Sequence, residues 1–279
     1  MPTIPLYQVD AFTSVPFRGN PAAVCLLEES LPDDTLLAIA AEMNLSETAF
    51  VRPLTDGGWR DAERFALRWF TPLTEVYLCG HATLATAAVL FGEAGVRAEK
   101  LRFETRSGTL TAQRVADAVR LDFPADPPEP CPLPEGMADA LGNPDIVAVA
   151  RSPRMGMLLV HLADASALVA LQPDYPALLQ ASNASNTMGV IVTAQGEPPY
   201  DFVSRFFGPA VGVDEDPVTG SAHTVLGPYW RERLGRDELH AYQASTRGGE
   251  LRVSMLPNDR IALTGKAVVV FSGELRLPE

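Results

Sequence analysis

Three short stretches hold the side chains best suited to chemistry: NLSETAFV from Asn44, CGHATLATA from Cys79 and EDPVTGSAH from Glu215. Glu47, in the first, is a carboxylate between Ser46 and Thr48. If drawn out of water its proton affinity rises, and it becomes able to take and return a proton near neutral pH. Asp216 offers a second acid. His81 stands in the first turn of an apolar helix, where the dipole disfavours imidazolium, so a neutral ring would exchange one hydrogen bond with a substrate oxygen. Gly80 and Gly220, with Ser221 beside the latter, open two helices whose free N–H groups would hold a carboxylate without lysine or arginine. Glycine there lets the backbone approach a ligand closely.

Each of these has a plainer reading. Glu47 would be a solvated glutamate at the end of a connection, His81 a ring facing water, and Thr219 or Ser221 an ordinary helix cap. His223, one turn into its helix, is expected to pack or bond structurally, and Asp214 and Glu215 to be solvated loop acids. Cys79 is the chemical rival: a thiol before a helix start, two residues from His81, can be a nucleophile or a racemase base. No second cysteine lies near Asp216, however, and no neighbour clearly orients His81, so Cys79 reads as a small buried residue.

The elements that must position these residues repeat. LPDDTLLAIAAEM (31–43) reads as a helix leading to the strand TAFVRP; LQPDYPALLQAS (171–182) leads likewise to MGVIVT. RWFTP answers RFFGP at an offset of 137 residues, Gly80 answers Gly220 at 140, and TRSGTL answers TRGGEL at 141. Near-constant offsets indicate a duplicated α+β unit. On these alignments Asp216 falls opposite Val76 or Cys79, with Glu75 one place further off, and Glu47 opposite Thr187 or Met188. The strands are short, alternating and joined by hairpin signals at Ser107-Gly108 and Gly248-Gly249, which predicts antiparallel sheets. Each half has one helix apolar on nearly every side, which a curved, barrel-like sheet must surround. The expected organisation is a first domain over 1–121, joined by a C-terminal strand over 267–279, a proline-rich linker over 122–136, and a second domain over 137–266. A pseudo-twofold arrangement would bring both helix starts to one cleft.

Composition narrows the function classes. With 279 residues, 47% of them hydrophobic, and a net charge of −13, the chain is a soluble type lacking the clustered cations that nucleic acid requires. No apolar run is long enough to span a bilayer and the N-terminus has no signal-peptide pattern, so a cytoplasmic location is expected. Three cysteines and four histidines at irregular spacing give neither a disulfide framework nor a metal motif. Nucleotide-binding glycine motifs are absent, and neither metal nor cofactor is expected.

DAFTSVPFRGNPAAV (10–24), NLSETAFV, RWFTPLTEVYLCGHATLATA (68–87) and EDPVTGSAH together resemble the phenazine-biosynthesis (PhzF-like) isomerase family, in its order and over almost the whole chain. The resemblance implies a diaminopimelate-epimerase-like fold, a homodimer and a cofactor-independent isomerase acting on a small carboxylate-bearing molecule. It implies Glu47 as the catalytic proton carrier and His81 and Asp216 as assisting residues. Asn20, Gly80, Gly220 and Ser221 would then contact substrate. The alternatives are a small-acid binding protein without turnover and a thiol-dependent racemase or hydrolase using Cys79.

Overall fold

The computed structural model describes residues 2–55 and 57–277. The chain divides into two compact units, Met1–Asp122 with Thr264–Glu279, and Phe123–Leu263. The first contains β1 (Thr3–Ala11), β2 (Asn20–Leu26), α1 (Asp33–Met43), β3 (Glu47–Pro53), β4 (Arg64–Phe70), β5 (Glu75–Val76), α2 (Gly80–Gly92), β6 (Lys100–Thr105), β7 (Gly108–Val115) and most of β8 (Ala118–Pro124). The second contains β9 (Glu129–Pro130), α3 (Met137–Ala140), β10 (Ile146–Arg151), β11 (Leu158–Leu162), α4 (Ala165–Ala170), α5 (Tyr175–Ala184), β12 (Val190–Gln195), β13 (Phe202–Gly208), β14 (Val213–Asp216), α6 (Gly220–Leu234), β15 (Glu238–Gln243), β16 (Gly249–Leu256) and most of β17 (Arg260–Gly265). The final strand, β18 (Ala267–Arg276), pairs along β1 from Ala11↔Ala267 to Thr3↔Arg276 and so belongs to the first unit.

The two units repeat one pairing scheme. β1 is antiparallel to β2, β2 parallel to β3, β3 antiparallel to β4, and β4 antiparallel to β5 and parallel to β6, which turns back as β7. In the second unit β10, β11, β12, β13, β14, β15 and β16 follow the same order of senses. The sheets are mostly antiparallel as expected, but each contains two parallel pairs. Alternation and hairpin signals do not reveal these, because a parallel pair requires a crossover: α1 supplies it between β2 and β3, and α4 with α5 between β11 and β12.

Each sheet curves about its apolar helix. On α2, Ala82, Thr83, Leu84, Ala85, Thr86, Ala87, Val89 and Leu90 are all buried, and the helix touches β1, β2, β3, β7 and β18. Its alanines let strands approach from several sides, which is why a helix without a polar face is stable here. In α6, Trp230 stacks on Phe202 and donates to Thr193 Oγ1 at 3.0 Å, while Gly227 admits Ile261 and Val253, whose atoms lie 2.3 and 2.8 Å from where a Cβ would stand.

The expected linker over 122–136 lies, from Phe123 onward, in the second unit and is a built part of it rather than a free connection. Its prolines suppress any periodic signal, yet Ala125 and Asp126 are buried, and their N–H groups donate to Asp259 O and Thr224 O at 2.8 and 3.0 Å. Asp126 also accepts from Ser152 Oγ, and Glu129–Pro130 pairs with Ala150 and Arg151. The Gly248-Gly249 signal marks a longer loop, since β15 ends at Gln243 and β16 starts at Gly249.

The duplication also appears in two arginine–glutamate ion pairs. Arg68 grips Glu75 through Nε and Nη2, both at 2.8 Å; Arg205 grips Glu215 through Nε at 2.7 Å and Nη2 at 2.9 Å. Glu215 is therefore no solvated loop acid: its side chain is 14% exposed and bound by an arginine that is 9% exposed. The two pairs differ in support. Glu75 also holds Arg106 at 2.5 Å, whereas Arg205 additionally donates to the Leu168 and Leu171 carbonyls at 3.3 and 2.8 Å. Arg205→Met therefore orphans a buried carboxylate and two carbonyls, and chemical denaturation is expected to show a loss of about 3–5 kcal/mol. Arg68→Met leaves Glu75 with Arg106 and is expected to cost about 1–2 kcal/mol. Equal losses would contradict this difference in support.

Candidate active site

Glu47 is placed by the end of α1. Asn44 closes that helix in a left-handed conformation (φ 49°), its N–H donating to Ala40 O, and the chain then turns into β3, whose first residue is Glu47. Parallel pairing sets Glu47 level with Ala22, and Ser46 Oγ reaches Pro21 O at 3.5 Å. Asn20, the first residue of β2, is fully buried two positions before Ala22. This strand end also meets the start of α2, where His81 lies.

His81 Nε2 stands 3.2 Å from Glu47 Oε2 and 3.4 Å from Ser46 Oγ, and Nδ1 stands 3.5 Å from Cys79 Sγ. The Glu47–His81 approach is close but lies off hydrogen-bonding alignment, so Oε2 is a buried oxygen in contact with the ring without an aligned donor. Burial raises the Glu47 pKa, opposed by hydrogen bonds from Ser46 and Cys79 that lower it, with a net upward shift. Glu75 in the same unit behaves in the opposite way, its pKa lowered chiefly by its bond to Arg68. Two carboxyl groups of one sheet are thus tuned apart, one fixed as an anion and one able to hold a proton.

The second unit assembles Asp216, Gly220 and Ser221. Asp216 ends β14, and its Oδ2 accepts from Thr219 Oγ1. Gln243 binds this turn: Nε2 donates to Asp216 O at 2.7 Å and Oε1 accepts from Thr219 N at 2.9 Å. Ser245 Oγ adds a bond to Pro217 O at 2.8 Å. Thr219 is the N-cap of α6 but its side chain makes no capping bond, and Cys79, the N-cap of α2, makes none either. Neither helix start is thus closed by its own cap, and Ser221 is not the cap residue. His223 is structural as expected: it is fully buried, its Nδ1 is 2.8 Å from Thr219 O, and burial pushes its pKa down to about 4.

Register resolves which positions correspond. Trp69 faces Val76 in the first unit and Phe206 faces Asp216 in the second, so Asp216 occupies the place of Val76. Ala49 faces Trp69 and Ile191 faces Phe206, so Glu47 corresponds to Gly189, not to Thr187 or Met188. The offset changes in the connection from α5 to β12, which a motif alignment does not detect. A Cβ at Gly189 would lie 2.3 Å from the Phe206 ring, so a side chain there requires that ring to move. Ser46 and Gln243 were not singled out in sequence. Ser46 sits inside the NLSETAFV motif beside Glu47, whereas nothing near Gln243 marks it as the brace of a turn 24 residues earlier.

A hydroxyproline epimerase from Agrobacterium vitis superposes with a TM-score of 0.57, covering 98% of this chain and 92% of that one, and at 12% identity the likeness is one of fold alone. Residues 9–273 match the phenazine biosynthesis-like protein family. An uncharacterized isomerase of Pseudomonas aeruginosa is 49% identical over 272 residues, 98% of each chain. The crystal structure of a PhzF-family phenazine biosynthesis protein from Enterococcus faecalis superposes with a TM-score of 0.90 at 42% identity, over 99% of this chain and 100% of that one. The chain belongs to the phenazine biosynthesis-like family.

The raised Glu47 pKa has a stability consequence of definite sign. The native state holds this proton more tightly than the unfolded chain, so the group's contribution is full below the unfolded carboxyl range and is lost as pH rises through the native value. Glu47→Gln is therefore expected to melt above the wild type at pH 8, with the gap closing toward pH 4. A variant that is less stable at pH 8 would show that the carboxylate supports the fold.

Proposed function

We propose that the protein is a cofactor-independent isomerase that moves a proton between carbons of a small carboxylate-bearing substrate. The observation that carries this reading is the contact of Glu47 with His81 at the start of a buried helix. The isomerase name of the Pseudomonas aeruginosa relative supports the reaction class.

In this mechanism the Glu47 carboxylate removes a proton from a substrate carbon. The electron pair of the broken C–H bond shifts along the substrate, and the Glu47 carboxyl returns the proton to a different carbon, so the product is an isomer. His81, 3.2 Å from Glu47, takes up the polarity change beside the moving proton. Asp216, held by Thr219 and Gln243, is the second unit's candidate for assisting proton transfer. The first-turn amides at Gly80 in the first unit, and those at Gly220 with Ser221 in the second, each offer backbone dipoles to a carboxylate, which suits an acidic protein. Asn20 lines the Glu47 end of the site.

A second reading rests on a separate contact, the 3.5 Å approach of Cys79 Sγ to His81 Nδ1, which would make the thiol the proton-transfer group. Deuterium incorporation separates the two. Cyclic and amino-substituted carboxylic acids are incubated with the protein in heavy water and followed by mass spectrometry. The expected result is exchange at carbon by the wild type, falling about 10²–10⁴-fold in Glu47→Gln and surviving Cys79→Ser. Exchange that survives Glu47→Gln and disappears in Cys79→Ser would replace the carboxylate mechanism with the thiol one. Thermal stabilisation by an acid that never exchanges would indicate a binding protein.

A further inference from the structure

Glu47, Cys79 and His81 place a carboxylate oxygen, a sulfur and an imidazole nitrogen within 4.8 Å of one another. We propose that these three side chains form a binding site for a thiophilic divalent cation such as zinc, and that occupancy blocks the site to proton transfer. Metal binding stands on the side-chain geometry alone; its blocking effect rests on the isomerase reading.

The donor set is the first ground. Zinc takes cysteine sulfur, histidine nitrogen and carboxylate oxygen, and three protein ligands leave a fourth position open for water. The thiol selects against magnesium and calcium, which take oxygen donors. Spacing is the second. Zinc–ligand bonds of about 2.0–2.3 Å place tetrahedral donors about 3.3–3.8 Å apart. Cys79 Sγ and His81 Nδ1 are already 3.5 Å apart, whereas the 3.2 Å approach of Glu47 Oε2 is to the other ring nitrogen, Nε2, so a single ion on one ring nitrogen has one partner near tetrahedral spacing and the other still to close. With all three donors inside 4.8 Å, closure needs a shift of about 1 Å, which the rotatable Glu47 side chain can supply. Access is the third. Cys79 and His81 are each 6% exposed, while the Glu47 side chain is 19% exposed, so a sheltered pair is approached from the carboxylate side.

No spacing rule detects this set, because Cys79 and His81 come from a helix start and Glu47 from a strand 32 residues earlier. Bound metal would occupy the carboxylate and thiol at once, leaving Glu47 unable to take a proton from carbon.

The test is titration of the metal-free, reduced full chain with zinc by calorimetry and with cobalt(II) by absorption. The expected result is one equivalent of zinc, and a cobalt form with a thiolate charge-transfer band and strong visible bands of four-coordinate geometry. Cys79→Ser is expected to remove the charge-transfer band and weaken zinc binding at least about tenfold. Cys131→Ser is expected to leave both unchanged. Circular dichroism checks that the variants fold, and His81→Gln, expected to weaken zinc to a similar extent, repeats the test should Cys79→Ser unfold. Absence of zinc uptake, or uptake undiminished in both Cys79→Ser and His81→Gln, would overturn the site. Stoichiometric zinc with deuterium exchange unchanged would overturn the block, and a protein that never catalyses exchange still answers the binding question.

Discussion

Removing a carboxyl group from water without giving it a fixed cation is the constraint to which the first unit is built. A carboxylate bound by arginine is held as an anion, as Glu75 is by Arg68 and Arg106. Glu47 instead meets a hydroxyl, a thiol and an imidazole, groups that can give or withdraw a hydrogen bond as the charge changes. The parallel crossover through α1, the left-handed Asn44 and the start of α2 all converge on this one placement.

Duplication then supplies two similar frames that differ at a few positions. The order of strand pairing, the bidentate arginine–glutamate clamp and the all-round buried helix occur in both. At the position of Glu47 the second unit has Gly189, where a side chain requires the Phe206 ring to move, and at the position of Asp216 the first has Val76. Thr83 and His223 occupy equivalent helix positions and serve one structural purpose: Thr83 Oγ1 donates to Cys79 O at 2.5 Å, and His223 Nδ1 lies 2.8 Å from Thr219 O. The conserved frame carries the stability and the divergent positions carry the acids.

Much of this was legible in sequence because it depends on local pattern. The unbroken apolar run after Gly80 announced a surrounded helix, and the repeated landmarks announced the duplication. What escaped depends on partners distant in the chain. Glu215 looked like one loop acid among three because Arg205 lies ten residues away across a bulged pairing. Gln243 holds the Asp216 turn from a neighbouring strand, and the Gly189 correspondence is hidden by a change of offset after α5. The prolines of 122–136 erased periodicity from a segment that the second unit anchors through the buried Ala125 and Asp126.

The central claim is that Glu47 remains a dehydrated, reversibly protonated carboxyl in the folded protein. Carbon-13 NMR titration of side-chain-labelled glutamate in the metal-free protein, with Glu47 assigned by its loss in Glu47→Gln, tests it directly. The account predicts a midpoint clearly above the ordinary glutamate value of about 4.3. A Glu47 resonance that titrates at or below that value would contradict it.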